Sequence, residues 1–219
     1  GGESTLFALS ATKEWDTNFG QFDMFASYTH ADVKDIGYGT SSTATSNYSD
    51  FAAYDRQSPR EGISNFQIEH LLKLRLNWRK ELVSGYETRV SLFATRRSGQ
   101  PYSYTFSENN NCVLDVGGGR CARESRNDDA GHLLYVPNGL SDPLFSPASF
   151  GGDVAQQQAF IDYINGSELA QYRGGIAPRN GDNSSMTSIV DLRIQQELPA
   201  FDSDHTFRLF LDIENLGNL

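Results

Sequence analysis

The sequence has no long apolar run. Nowhere do the roughly 18 consecutive apolar residues of a spanning helix occur, so a helical membrane protein is excluded. That lack does not exclude a membrane β-barrel, whose strands need only about 9–11 residues and bury one face each. Such a barrel shows a negative mean hydropathy, as this chain does. Basic residues are also few: 18 Lys and Arg stand against 28 Asp and Glu, for a net charge of −10. With no basic cluster, a nucleic-acid partner is not expected. The first residues, Gly1-Gly2-Glu3-Ser4, have neither a basic n-region nor an apolar h-region, so no signal peptide is read. The expectation is a removed leader or an internal piece of a longer chain. With 12% aromatic residues, 20 glycines and only 7 prolines in 219 residues, the chain is too aromatic and too regular in pattern to be disordered.

Catalytic motifs are missing as well. Ser98-Gly99-Gln100 and Gly117-Gly118-Gly119 do not continue into the Gly-Lys-Ser/Thr of a phosphate loop. The histidines His30, His70, His132 and His205 suggest no Ser-His-Asp arrangement. His132 near Asp128-Asp129 is an incomplete ligand set in a glycine-rich stretch, and no EF-hand spacing is present, although loop carboxylates are suited to calcium. The expectation is therefore no catalytic residue, no cofactor, no metal site and no enzyme. The chain has two cysteines, Cys112 and Cys121. Their closeness reads first as a disulfide, which implies an oxidising compartment, with two free thiols as the alternative.

What is present is period-2 alternation, strongest over 68–79. There Ile68, His70, Leu72, Leu74, Leu76 and Trp78 share one face, and Glu69, Lys73, Arg75, Asn77 and Arg79 share the other with Leu71. One face suits lipid and the other water. The same pattern predicts strands over about 4–14, 19–31, 86–97, 186–198 and 205–215, six in all. These form three hairpins joined by short links at 15–18, 80–85 and 199–204. The two remaining connections, 32–67 and 98–185, are long and carry −7 of the −10 charge. Short turns on one side and long loops on the other are the pattern of an outer-membrane barrel with periplasmic turns and extracellular loops. The fold class expected is all-β: a segment of an antiparallel up-and-down transmembrane barrel. The polar face places Glu69, Lys73, Arg75, Arg79, Glu87, Arg89, Asp191, Arg193, Asp212 and Glu214 toward the lumen, as a salt-bridged wall or as contacts for a plug or cargo. Within the second loop, Asp153 is positioned to cap a helix over 154–164 that stops at Asn165-Gly166, and Ser167 to cap a shorter turn ending at Gly174-Gly175.

Five further stretches stand out: residues 97–106, reading RSGQPYSYTF; 133–137, LLYVP; 172–175, YRGG, with 177–180, APRN; 191–193 with 196–199; and the ending 211–219. Together they resemble TonB-dependent receptors of the Oar-like group, whose members carry an N-terminal carboxypeptidase-regulatory-like domain. Their order and spacing are similar to the late part of that barrel. The resemblance implies a barrel of about 22 strands filled by its own plug domain and opened by TonB, both outside this segment. It also implies a location in the Gram-negative outer membrane, contact with outer-membrane lipid, and energy-coupled passage of a ligand held by extracellular loops. The alternative function is a structural or adhesive surface protein without transport. About six strands cannot close a membrane barrel with a polar lumen, so the chain is expected to belong to a longer protein.

Overall fold

A computed structural model describes residues 1–37, 39, 41–49, 51–55, 58–83, 85–106, 131–201 and 205–218. Cys112 and Cys121, with Asp128 and Asp129, lie outside the described residues. The chain divides into two compact units. A sheet unit comprises Thr5–Asp32, Ile68–Gly99 and Ser185–Leu219, and a loop unit Gly1–Ser4, Val33–Gln67 and Gln100–Ser184.

Six long strands form an antiparallel sheet in chain order: β1 (Glu3–Thr17), β2 (Gly20–Asp35), β3 (His70–Val83), β4 (Tyr86–Arg97), β5 (Thr187–Pro199) and β6 (Thr206–Ile213). The fold is thus all-β and antiparallel, with few helices. Strands β1 and β6 are the two ends of this order, and the sheet is open.

Pairing runs closer to the short turns than alternation suggests. Trp15 to Thr17 belong to β1, so the first link shrinks from 15–18 to Asn18 and Phe19. Trp15 is held in the strand by stacking on Phe22, with ring centroids 5.4 Å apart and planes 7° off parallel. The Thr17 hydroxyl accepts from the Phe19 N–H (3.1 Å) and donates to the Gly20 carbonyl (2.9 Å), closing the turn. Likewise Lys80 to Val83 pair with Thr88 to Tyr86, across an irregularity at Glu81/Val83. The second link is therefore only two residues long, with Gly85 at φ +78°. Pro199 ends β5, paired with Thr206.

The core of the loop unit is formed by Leu134, Val136, Ile161, Ile164, Leu169 and Ala177, with Tyr104, Phe106, Phe160 and Tyr172 packed against it. Two-residue ladders tie its strands: Pro101–Tyr102 with Asp182–Asn183, and Tyr135–Val136 with Gly175–Ile176. Its helices are α1 (Ala44–Ser49) and α2 (Val154–Asn165). The Asp153 carboxylate accepts from the backbone N–H of Ala155 (2.9 Å) and Gln156 (3.2 Å), satisfying donors the first turn leaves open. Ser167 does not cap the following turn, Glu168–Tyr172; its hydroxyl instead donates backward to the Ile164 carbonyl at 3.3 Å. That turn ends where Gly174, at φ +72°, gives its N–H to the Val136 carbonyl (2.7 Å).

Candidate functional site: a two-faced sheet, and a cleft in the loop unit

Cross-strand register sorts the sheet's side chains into rows. One face carries Phe22, Trp78, Val90, Ile194 and Leu211 in a row, then Met24, Leu76, Leu92, Leu192 and Ile213, then Ala26, Leu74, Ala94 and Val190. Every member of these rows is apolar. The next row, toward the long connections, is Tyr28, Leu72, Arg96 and Ser188. From Trp78 to Leu72 the strand covers about 20 Å at roughly 3.4 Å per residue. A shallow groove of about 460 Å³ crosses this face along the row of small residues, from Leu9 on β1 past Ala26 and Ala94 to Val190 on β5. The face is open: Leu72 is 47% exposed, Leu211 55% and Leu209 67%. Apart from Ala31, every buried apolar residue among those described belongs to the loop unit. Among the described residues this apolar face is left largely uncovered, as at surfaces that contact a protein partner, a membrane or a ligand.

The opposite face is organised by charge. Arg75 lies 3.5 Å from Asp23, which also accepts from the Asn77 amide at 2.8 Å. Arg193 makes a two-pronged pair with Asp212 (2.5 and 2.8 Å), and Arg208 reaches Glu197 at 2.9 Å. Arg89 turns to Glu87 at 2.7 Å. Two aromatics on this face lie against cations: Arg75 is 6.0 Å from the Phe25 centroid and Arg193 5.6 Å from that of Phe210. Asp191 accepts from the Asn215 N–H at 2.9 Å and so pins the chain just beyond β6. Lys73 and Arg79 share the face, in register with Ser27 and Gln21.

Glu69 just precedes β3, its carbonyl accepts from the Ala31 N–H at 3.0 Å, and its carboxylate oxygen stands 3.7 Å from His70 Nε2.

In the loop unit, residues that are far apart in sequence meet. Tyr102 and Tyr104, two apart in an extended segment, both donate to Asp182 Oδ2 at 2.7 and 2.6 Å. Burial would raise the Asp182 carboxyl, but the two phenols and the Asn183 N–H outweigh it and hold it below the usual aspartate range. Burial first, then the bond to Asp182, pushes the Tyr104 phenol strongly up. The buried Asp142 takes N–H groups from Asn138 (2.8 Å) and Leu144 (2.9 Å) and the Tyr135 hydroxyl (3.0 Å). The Asn138 bond leads in holding its carboxyl low, against the effect of burial. Arg179, with only 6% of its side chain exposed, pairs with Asp35 at 2.5 Å and donates to the Gly62 carbonyl at 3.2 Å. Beside it opens a cleft of about 450 Å³, lined by Phe51, Tyr54, Leu133, Ile176 and Pro178, with Arg60 and Glu61 on its wall. It has the size of a small-ligand site.

None of these loop-unit contacts was read from sequence; the only local signal was the spacing of Tyr102 and Tyr104. No family model matches the chain, and no curated protein and no solved structure matches it.

Proposed function

We propose that this chain is a stretch of wall of an outer-membrane β-barrel, belonging to a TonB-dependent receptor that moves a ligand caught by its long loops. The observation that carries the reading is the division of the sheet. Unbroken apolar rows cross up to five strands on one face, and the other carries the ion pairs and cation-aromatic contacts, with Leu71, Phe93 and Ile189 among them. A soluble sheet packs its apolar face against a second layer. A barrel wall turns that face to lipid and keeps the charged one toward a wet lumen. The barrel is closed by strands beyond these six, in the outer membrane of a Gram-negative cell, with a plug domain and TonB supplying the gated, energy-coupled step. The alternation of short connections, of two, two and six residues, with long ones supports the same orientation, with the long connections outside. The cleft beside Arg179 is a fitting place for the captured ligand.

The test compares neighbours on β3 in the full-length protein. Leu74→Arg puts a charge on the apolar face at mid-strand, which costs about 2–4 kcal/mol near a bilayer midplane. Arg75→Leu removes one ion pair and leaves Asp23 held by Asn77. Leu74→Arg is expected to abolish the heat-modifiable species in outer-membrane fractions, and Arg75→Leu to retain it. Equal behaviour of the two variants sinks the membrane reading.

A further inference from the structure

Beyond the apolar rows, at the end of β2 and β3 away from their short turns, His30 and His70 face each other across the ladder, with Glu69 beside them. A ring nitrogen from each histidine and a Glu69 carboxylate oxygen all lie within 4.8 Å of one another, and all three side chains are half-buried. We propose that this trio binds a divalent transition metal of the zinc class, a role unrelated to ligand capture or transport.

Four observations converge. The first is the cross-strand pair itself. The His70 backbone is bonded on its far side to Ser98, N–H to the Ser98 hydroxyl and carbonyl to the Ser98 N–H, each at 2.9 Å. His30 and His70 therefore form the closely spaced, non-hydrogen-bonded kind of antiparallel pair. Their ring centroids are 5.0 Å apart and tilted by 34°, a geometry that leaves room for an ion at their edges. The second is the orientation of His70. Its Nδ1 is 2.8 Å from the Tyr28 hydroxyl. With Nδ1–H donated to that oxygen, the Nε2 lone pair is directed toward Glu69, the arrangement by which an outer partner fixes a metal-binding tautomer.

The third is the spacing. His70 Nε2 and Glu69 Oε1 are 3.7 Å apart. Two donors on one tetrahedral zinc, each about 2.0–2.1 Å from the ion, stand roughly 3.4 Å apart. Small side-chain rotations close the set without moving backbone, which the Ala31 N–H bond to the Glu69 carbonyl (3.0 Å) holds in place. The fourth is His30, whose Nδ1 is buried with no hydrogen-bond partner among the described residues. A stacked histidine pair alone leaves that nitrogen unsatisfied at a cost, whereas a bound ion orients the ring and gives it a use. Two imidazoles and one carboxylate select zinc, cobalt, nickel or copper over magnesium or calcium, which require oxygen-rich shells. Three protein ligands leave a fourth position open.

The experiment uses the full-length protein, stripped with chelator and titrated with Co²⁺ as a spectroscopic stand-in for Zn²⁺. One saturable equivalent with the intense visible bands of a four-coordinate ion is expected, displaced by Zn²⁺ and unaffected by Mg²⁺ or Ca²⁺. His30→Gln and His70→Gln should each lose that signal, and Tyr28→Phe should weaken affinity by about 10–100-fold while keeping the spectrum. Because a variant can fail to fold, the unaltered protein supplies a second measurement. Zn²⁺ should protect His30 and His70 from diethyl pyrocarbonate, read by peptide mass spectrometry, while leaving His205 reactive. A Co²⁺ spectrum identical to the hydrated ion, unchanged binding in a folded His30→Gln protein, or equal modification of both histidines with and without Zn²⁺ overturns the proposal.

Discussion

At Gly20 two constraints fall on one residue. Its φ of +130° is reached without strain only by glycine, and a Cβ there would stand 2.6 Å from Trp78 Nε1 and 2.7 Å from the Arg79 carbonyl. The indole cannot simply swing away, because its N–H donates to the Phe19 carbonyl at 2.9 Å and so fastens the first turn to β3. Gly85, at φ +78°, has nothing within 4 Å of the same position and carries the backbone constraint alone. Gly20→Ala is therefore expected to cost roughly 2–4 kcal/mol, and Gly85→Ala about 1 kcal/mol. Denaturant unfolding measures both, and a larger loss at Gly85 would contradict this account. Neither constraint is visible in sequence, since both glycines merely follow polar or aromatic residues near a turn. Asp153 is different: its capping role depends on the next three residues alone, and it was legible for that reason.

Elements were legible to the degree that their causes are local. Period-2 alternation located the long strands because each side chain's face follows from its neighbours two residues away. The ends were not legible, because they depend on the partner strand: Trp15 stays extended by stacking on Phe22, and Lys80 reaches the Asn18 carbonyl at 3.2 Å. The charged face was read from the same alternation, but the pairs within it, such as Asp23 with Arg75, follow from a register set across a long connection. That register is also what places His30 opposite His70, so the histidine and glutamate cluster had no sequence signal. The loop unit defeats a pattern reading most fully, since its core draws on three separated stretches, 134–136, 161–169 and 177. Leu169 shows how much rests on that convergence. It has no exposed surface and sits among α2, Tyr135–Val136 and the turn Glu168–Tyr172. Leu169→Ala should destabilise the loop unit by about 2–5 kcal/mol, detectable as faster proteolysis near α2 with β3 and β4 still protected. Loss of protection throughout the sheet would show that the two units do not fail separately.

At the scale of the whole molecule the two units rest on different physics, and acid should separate them. The sheet unit is held by backbone ladders and apolar rows, and its ion pairs are largely exposed, so each contributes little. The loop unit instead depends on carboxylates that accept hydrogen bonds inside it: Asp142 from Asn138, Leu144 and Tyr135, and Asp182 from Tyr104 and Tyr102. Both carboxyl groups are held below the ordinary aspartate value. A group with a lowered folded pKa contributes its full stabilisation above its unfolded pKa, about 3.9 for aspartate, and loses it as pH falls through the folded value. The loop unit's stability should accordingly be level from neutral pH down to about 4 and then decline. Hydrogen exchange, corrected for intrinsic rates, should show the Gly174 and Ala177 amides losing protection below that point while the β3–β4 ladder keeps its own. Asp142→Asn sharpens the test. It places an amide N–H₂ against existing N–H donors, so the loop unit should be weaker by about 1–3 kcal/mol at neutral pH. Having no proton to take up at that position, the variant should also show a shallower decline in acid. An Asp142→Asn protein that is weaker at neutral pH yet falls as steeply as the parent would mean that other groups carry the acid response.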